Sequence, residues 1–209
     1  RREKGLYANE IYYQNALMNI FPDAIIVGSR VSIIHNDAFC NCKAKRIMFA
    51  QDGKTRPLHL FTGCFAQCGA TIIELPMRTT GIAANVFEGC MIKSFDCPPV
   101  LFLGQEAFLG ASQLWFVDLT KAKLFHIRQR TFGNCVSLQK IRLPLSLVSI
   151  EQEAFRNCYS LEKIQFPESL IRINQYAFAC CSSLLQVQLP PNLQFLGHCA
   201  FSGCRMLRI

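Results

Sequence analysis

Charge is scarce in this chain. Asp, Glu, Lys and Arg make up 17% of its 209 residues, and the stretch from Ile173 to Cys204 carries none of them. That stretch still does not read as a membrane span, because it holds Pro190, Pro191 and several Asn and Gln side chains that a bilayer-crossing helix would leave poorly satisfied. Tryptophan is nearly absent: Trp115 stands alone. Catalytic signatures are missing. There is no glycine-rich phosphate loop, no H-E-x-x-H and no G-x-S-x-G, and nothing places a nucleophile beside a base. The chain is therefore read as no enzyme, with no cofactor and no small-molecule substrate. The four histidines, His35, His59, His126 and His198, are scattered without ligand spacing, so no metal site is expected. No Asn-x-Ser/Thr acceptor occurs.

What the chain has in abundance is self-similarity. Leu138, Ile141, Leu143-Pro144, Leu147, Ile150, Ala154-Phe155 and Cys158 recur 23 residues later as Leu161, Ile164, Phe166-Pro167, Leu170, Ile173, Ala177-Phe178 and Cys181. They recur again as Leu184, Val187, Leu189-Pro190, Leu193, Leu196, Ala200-Phe201 and Cys204. Walking backwards extends the phenylalanine landmark to Phe39, Phe65, Phe87, Phe108, Phe132, Phe155, Phe178 and Phe201, with gaps of 26, 22, 21, 24, 23, 23 and 23 residues. Five positions before each stands an aliphatic residue, from Ile34 to Leu196. Three positions after each stand Cys42, Cys68, Cys90, Ala111, Cys135, Cys158, Cys181 and Cys204. A unit this short cannot bury its own apolar face, so copies must stack into a solenoid of about eight coils.

Each landmark has a physical job. Leu161-x-x-Ile164-x-Phe166 ends in strand alternation. The proline that follows cannot donate to a ladder and turns the chain outward. Leu170-x-x-Ile173 returns across the core, and Ala177-Phe178-x-x-Cys181 reads as a short turn of helix that points Phe and Cys inward. Each buried Phe or Leu contributes about 1.5–3 kcal/mol.

The pattern L-x-x-I-x-[LF]-P-x-x-L-x-x-I-x-x-x-A-F-x-x-C resembles the BspA-like class of leucine-rich repeat over about Val31 to Ile209. The resemblance implies a right-handed leucine-rich-repeat coil. Its parallel β-sheet would line the concave face, with short helical turns and extended segments on the convex face. It also implies a bacterial or protist surface protein, often adhesive. The Ile-Gly pair common before Ala-Phe in that class appears only as Leu196-Gly197. Ser146, Ser169 and Asn192 sit where other leucine-rich repeats carry a polar ladder, and are expected to satisfy turn backbone groups.

Residues 1–30 fall outside the repeat and read as an N-terminal cap or degenerate first coil, with 31–209 as the solenoid. Tyr7 to Phe21 is expected as a short amphipathic helix and Ala24-Ile25-Ile26-Val27 as a strand. Ala50 to Pro57 lengthens the first gap and should project as a loop. The chain starts at Arg1-Arg2 and stops at Leu207-Arg208-Ile209 inside an expected strand, which reads as a segment truncated from a longer protein.

Of the twelve cysteines, the column members read as small buried hydrophobes with free thiols, since their Cβ vectors would run parallel. A disulfide among Cys40, Cys64, Cys97, Cys180 and Cys199 stays open. The charge is uneven: net +3 over 1–46, −2 over 47–120 and +7 over 121–209. The basic end could attract acidic proteins, anionic polysaccharide, lipid head groups or nucleic acid, or simply keep an apolar solenoid soluble.

What remains is a surface. Alternation along the expected strands turns out Arg46, Met48, Ile72, Glu74, Ser94, Asp96, Phe116, Asp118, Lys140, Arg142, Lys163, Gln165, Gln186 and Gln188. Binding is assigned to Trp115, Phe116, Asp96, Asp118, Lys140, Arg142 and Lys163, because large aromatics beside charge anchor protein interfaces. Local packing beside the small Ala111 is the other reading of Trp115 and Phe116. The sequence thus points to a recognition or adhesion module for a protein or glycan partner, at the cell surface by resemblance. The alternative is an intracellular sensor or scaffold segment in the cytoplasm, where thiols stay reduced. Nucleic-acid binding by the basic end lacks any motif.

Overall fold

The structure is a computed structural model of the chain and describes residues 5–8, 23–50 and 56–208. It is a parallel β-solenoid built of two rows of short strands and a stack of turns. The first row runs through Gly5–Ala8, Ala24–Val27, Arg46–Phe49 and Ile72–Glu74, paired parallel in that order. It continues as Ser94–Asp96, Phe116–Asp118 and Lys140–Arg142, then as single bridges at Lys163 and Gln186. The second row holds Ile33–Ile34, Leu58–Leu60 and Thr79–Ile82, a bridge from Ile82 to Leu103, and then His126–Ile127, Ser149–Ile150, Arg172–Ile173 and Phe195–Leu196. These are the extended segments expected opposite the main sheet. The Tyr7–Phe21 helix is not formed at its start, since Tyr7 and Ala8 belong to a strand; residues 9–22 lie outside the described residues. So do residues 51–55 of the Ala50–Pro57 loop.

Strands stay short because proline ends them. Pro144, Pro167 and Pro190 each close a turn in which their carbonyls accept the N–H of Leu147, Leu170 and Leu193 at 3.1–3.2 Å. The polar positions beside these turns do what the sequence implied. Ser146 Oγ donates to Leu124 O (2.8 Å), Ser169 Oγ to Leu145 O and Leu147 O (both 2.7 Å), and Asn192 Nδ2 to Glu168 O (3.0 Å).

The core is one continuous column. Phe39 through Phe178 are fully buried, and neighbouring rings from Phe39 to Phe201 lie at centroid separations of 4.9–5.6 Å, all stacked except the tilted Phe39–Phe65 pair. Such stacking adds to burial about 0.5–1.5 kcal/mol per pair.

The expected short helix around each Phe is a different structure, and the backbone says why. Among the described residues, every positive φ lies two positions before or two after a column phenylalanine, with φ between 50° and 75°. Tyr176 (56°) and Cys180 (62°) flank Phe178 in this way, and a left-handed residue ends right-handed helix. The N–H groups at those two positions and on the Phe itself reach the next coil. Glu153 donates to Gln175 O (3.2 Å), Phe155 to Ala177 O (2.7 Å) and Asn157 to Ala179 O (2.9 Å). The residues between them donate back three positions, Ala154 to Glu151 O (3.3 Å) and Arg156 to Glu153 O (3.1 Å), and so does the following Cys158, to Phe155 O (3.2 Å). The buried turn thereby satisfies its backbone donors.

Candidate functional site

Parallel register sets the outer face of the main sheet. Pairing aligns Ser94, Phe116 and Lys140 in one column and Asp96, Asp118 and Arg142 in the next. Bridges extend the first column to Lys163 and Gln186. All the side chains expected on this face from Arg46 to Gln188 are solvent-accessible, while Ile47, Ile73, Phe95, Val117, Ile141 and Ile164 between them are buried. The register holds in the early coils as well as the late ones.

The centre of the face is a connected cluster. Trp115 and Phe116 rings lie 5.6 Å apart, and the Arg142 guanidinium sits 5.8 Å over the Phe116 ring, within cation–π range. Arg142 Nη1 also reaches Asp118 Oδ2 at 3.1 Å. The other carboxylate oxygen of Asp118 accepts the Thr120 backbone N–H (2.9 Å) and hydroxyl (2.6 Å). Partial burial would push the Asp118 carboxyl up, but the hydrogen bonds from Thr120 and Arg142 outweigh it and hold the group below the usual carboxylate range. Trp115 is 48% exposed, so about half of its surface faces solvent. Asp96 pairs with Lys121 at 2.7 Å, and this hydrogen bond raises the Lys121 ammonium above its ordinary value. Both acidic members of the site are thus neutralised locally, whereas Lys140 and Lys163 form no ion pair among the described residues. This part of the face thus holds two closed pairs, Asp96–Lys121 and Asp118–Arg142, beside two open lysines. Lys121 and Thr120 were missed from the sequence; Thr120 two residues after Asp118 is the signature of a local side-chain turn that could have found it.

A second polar cluster lies on the turn face. Arg130 Nε binds Glu153 Oε2 at 2.7 Å, Arg156 Nη1 lies 3.5 Å from the same oxygen, and Arg130 Nη1 is 3.7 Å from Glu106. Asn157 Nδ2 donates to Asn134 Oδ1 at 2.8 Å. Arg130, Glu153, Arg156, Asn134 and Asn157 border a groove of about 200 Å³ with Leu109 and Gly133. No group of three or more metal-ligating side chains occurs among the described residues. Likewise, no described helix is long and apolar enough to cross a membrane.

The column thiols are structural. Cys135, Cys158, Cys181 and Cys204 each place Sγ 3.1–3.2 Å from the carbonyl of the phenylalanine one coil back. Burial pushes the Cys135 and Cys158 thiols well above their ordinary values, which removes them from nucleophile chemistry.

The eight-ring column with its alternating left-handed turns is matched by a family-wide sequence profile. The profile described as BspA type leucine rich repeat region matches in six copies, over residues 10–64, 32–123 and 102–209. The chain belongs to the BspA-type leucine-rich repeat family. Repeats of this BspA type form protein-interaction modules. Solved structures agree on the fold of the BspA-type chain. A leucine-rich repeat protein from Bacteroides ovatus is similar at TM-score 0.71 and 24% identity, over 97% of this chain and 62% of that one. Another from Eubacterium ventriosum is similar at TM-score 0.68 and 15% identity, over 87% of this chain and 58% of that one. The BspA-type chain therefore spans less than two thirds of either. No curated protein matches it in sequence.

Proposed function

We propose that this BspA-type segment is a non-catalytic recognition module that binds a protein partner, or a glycan, on the outer face of its main sheet. Trp115, Phe116 and Arg142 form the anchor, and Asp96, Asp118, Lys140 and Lys163 supply the surrounding polar contacts. The observation that carries this reading is the half-exposed Trp115 beside Phe116. Arg142 is held over the Phe116 ring by its bond to Asp118. A sheet-mounted aromatic–guanidinium cluster of this kind loses little side-chain freedom on binding, which is what interface hot spots require. Lys140 and Lys163 give the face an unneutralised basic edge that favours an acidic partner surface.

The test is to array the segment against protein and glycan libraries, then compare the best binder with the Phe116→Ala/Arg142→Ala double variant. Loss of about tenfold or more in affinity, with an unchanged unfolding midpoint, is the expected result for a central anchor. Retained affinity sinks the site assignment.

A further inference from the structure

The second sheet carries an apolar stripe that the main-sheet reading does not use. The residues seven positions before the column phenylalanines are Leu101, Phe125, Val148 and Ile171 in four successive coils. The Val148 N–H donates to Phe125 O and the Ile171 N–H to Val148 O, both at 2.8 Å, so these three residues sit directly above one another, and Leu101 holds the equivalent repeat position in the coil before. Leu101 is 64% and Phe125 57% exposed, and Val148 and Ile171 are partly accessible. Phe102 widens the stripe at one end, its ring lying where a Cβ on Gly81 would be. The column is polar on either side of these four coils, at Thr80 before and Gln194 after.

The spacing of the stripe selects its occupant. One side chain per coil repeats at about the parallel-strand distance of 4.8 Å, so four coils span about 14 Å. A partner strand presents same-face side chains every ~6.7 Å and drifts out of step by the third contact. An α-helix read at i, i+3, i+7 and i+10 rises about 15 Å over its four contacts and stays in step. The flanks give the charge. Lys123 and Arg128 are exposed and form no ion pair among the described residues, and exposed Arg172 lies over the Phe195 ring. The carboxylates on this side are Glu151, which accepts the Gln129 N–H and keeps its charge, and Glu168, so the three cations outnumber them. We propose that the Leu101–Phe125–Val148–Ile171 stripe docks an amphipathic α-helix of a partner protein, its axis along the solenoid and its flanks acidic.

The experiment uses a fluorescein-labelled, end-capped 18-residue helical peptide with leucine at i, i+3, i+7 and i+10 and glutamate on both flanks, titrated with the whole segment. Two control peptides keep the composition but alternate the leucines for a strand, or replace glutamate by lysine. The expected result is saturable binding of the glutamate helix, at least tenfold tighter than either control and at least tenfold weakened by Phe125→Ser. Phe116→Ala/Arg142→Ala on the other sheet should leave it unchanged, which separates this proposal from the main-sheet reading. Absent binding, equal binding of a control or insensitivity to Phe125→Ser overturns it. So does a concentration-dependent dimer, or capture by phosphatidylserine vesicles, that Phe125→Ser abolishes, because the stripe then serves a second copy or a membrane.

Discussion

The Cys158 thiol donates to the Phe132 carbonyl of the preceding coil across 3.1 Å. That carbonyl already accepts the Cys135 N–H within its own turn at 3.2 Å. The thiol therefore fills the second lone pair of a buried acceptor, which an aliphatic residue of the same size cannot do. This accounts for cysteine over alanine or valine at Cys135, Cys158, Cys181 and Cys204, while Cys90 donates instead to Ala70 O at 3.8 Å. It also marks Ala111 as the one coil without the donor. Replacing Cys158 by Val removes the donor and adds about one methyl group of volume to a buried site, and should cost at least about 1 kcal/mol. Ala111→Cys should gain a few tenths of a kcal/mol to about 1 kcal/mol. Urea unfolding measures both. A Val variant as stable as the parent would remove the hydrogen bond as the explanation.

Gly110 distinguishes the turn from the helix it replaced. Its φ is 69°, and a Cβ built on it meets nothing within 4 Å. The only penalty for Gly110→Ala is the left-handed backbone, and it should destabilise by about 1–2 kcal/mol. A helix at this position would predict the opposite sign, a gain of about 0.5–1 kcal/mol. Gly110→Asn should fall between parent and Ala, because Asn tolerates this region. Thermal melts of the three proteins decide the sign.

The architecture was legible because the repeated skeleton is apolar and periodic, and burial enforces both. Phe155, Ile150 and Cys158 each sit where stacking would place them. The outward register of Phe116 and Arg142 followed from alternation alone. The helical turn was misread because A-F-x-x-C has helical spacing. The contrary signal was the Asn or Gly two positions after the phenylalanine, at Asn41, Gly89, Gly110, Asn134, Asn157 and Gly203, which marks left-handed backbone. The pairing of Asp96 with Lys121 had no such signal, since it joins residues 25 apart whose proximity depends on how the chain turns after each strand. The second-sheet stripe was hidden by its own composition, as Leu101 and Phe125 look like core residues until the turn geometry points them outward.

Thiol reactivity should divide along the same structural line. Cys135 and Cys158 are fully buried and their thiols are pushed up by that burial, while Cys180 is exposed. Ellman's reagent on the native protein should therefore modify Cys180 in its fast phase and leave both column thiols untouched until unfolding. Cys180→Ala should delete a fast equivalent. Native-state labelling of Cys158 at a comparable rate would mean the column opens locally and is not a rigid core.

Glu153 ties stability to acid pH. The Arg130 hydrogen bond is the largest influence on its carboxyl and holds it below the ordinary 4.5, against the opposing effect of burial; Gln152 and Arg156 add to the lowering. A carboxyl depressed in the folded state contributes stability that is present above its unfolded value and lost as pH falls through the folded one. Arg130 is 43% exposed, so solvent screening keeps the contribution modest. Glu153→Gln should cost about 1 kcal/mol at pH 7. The gap between parent and variant should stay level down to about pH 5 and close progressively below 4.5, as the parent carboxyl takes up its proton. Urea midpoints measured from pH 7 to pH 2.5 follow that difference directly. A gap that persists unchanged to pH 2.5, or widens there, would show that Glu153 acts through packing and not through its charge on Arg130.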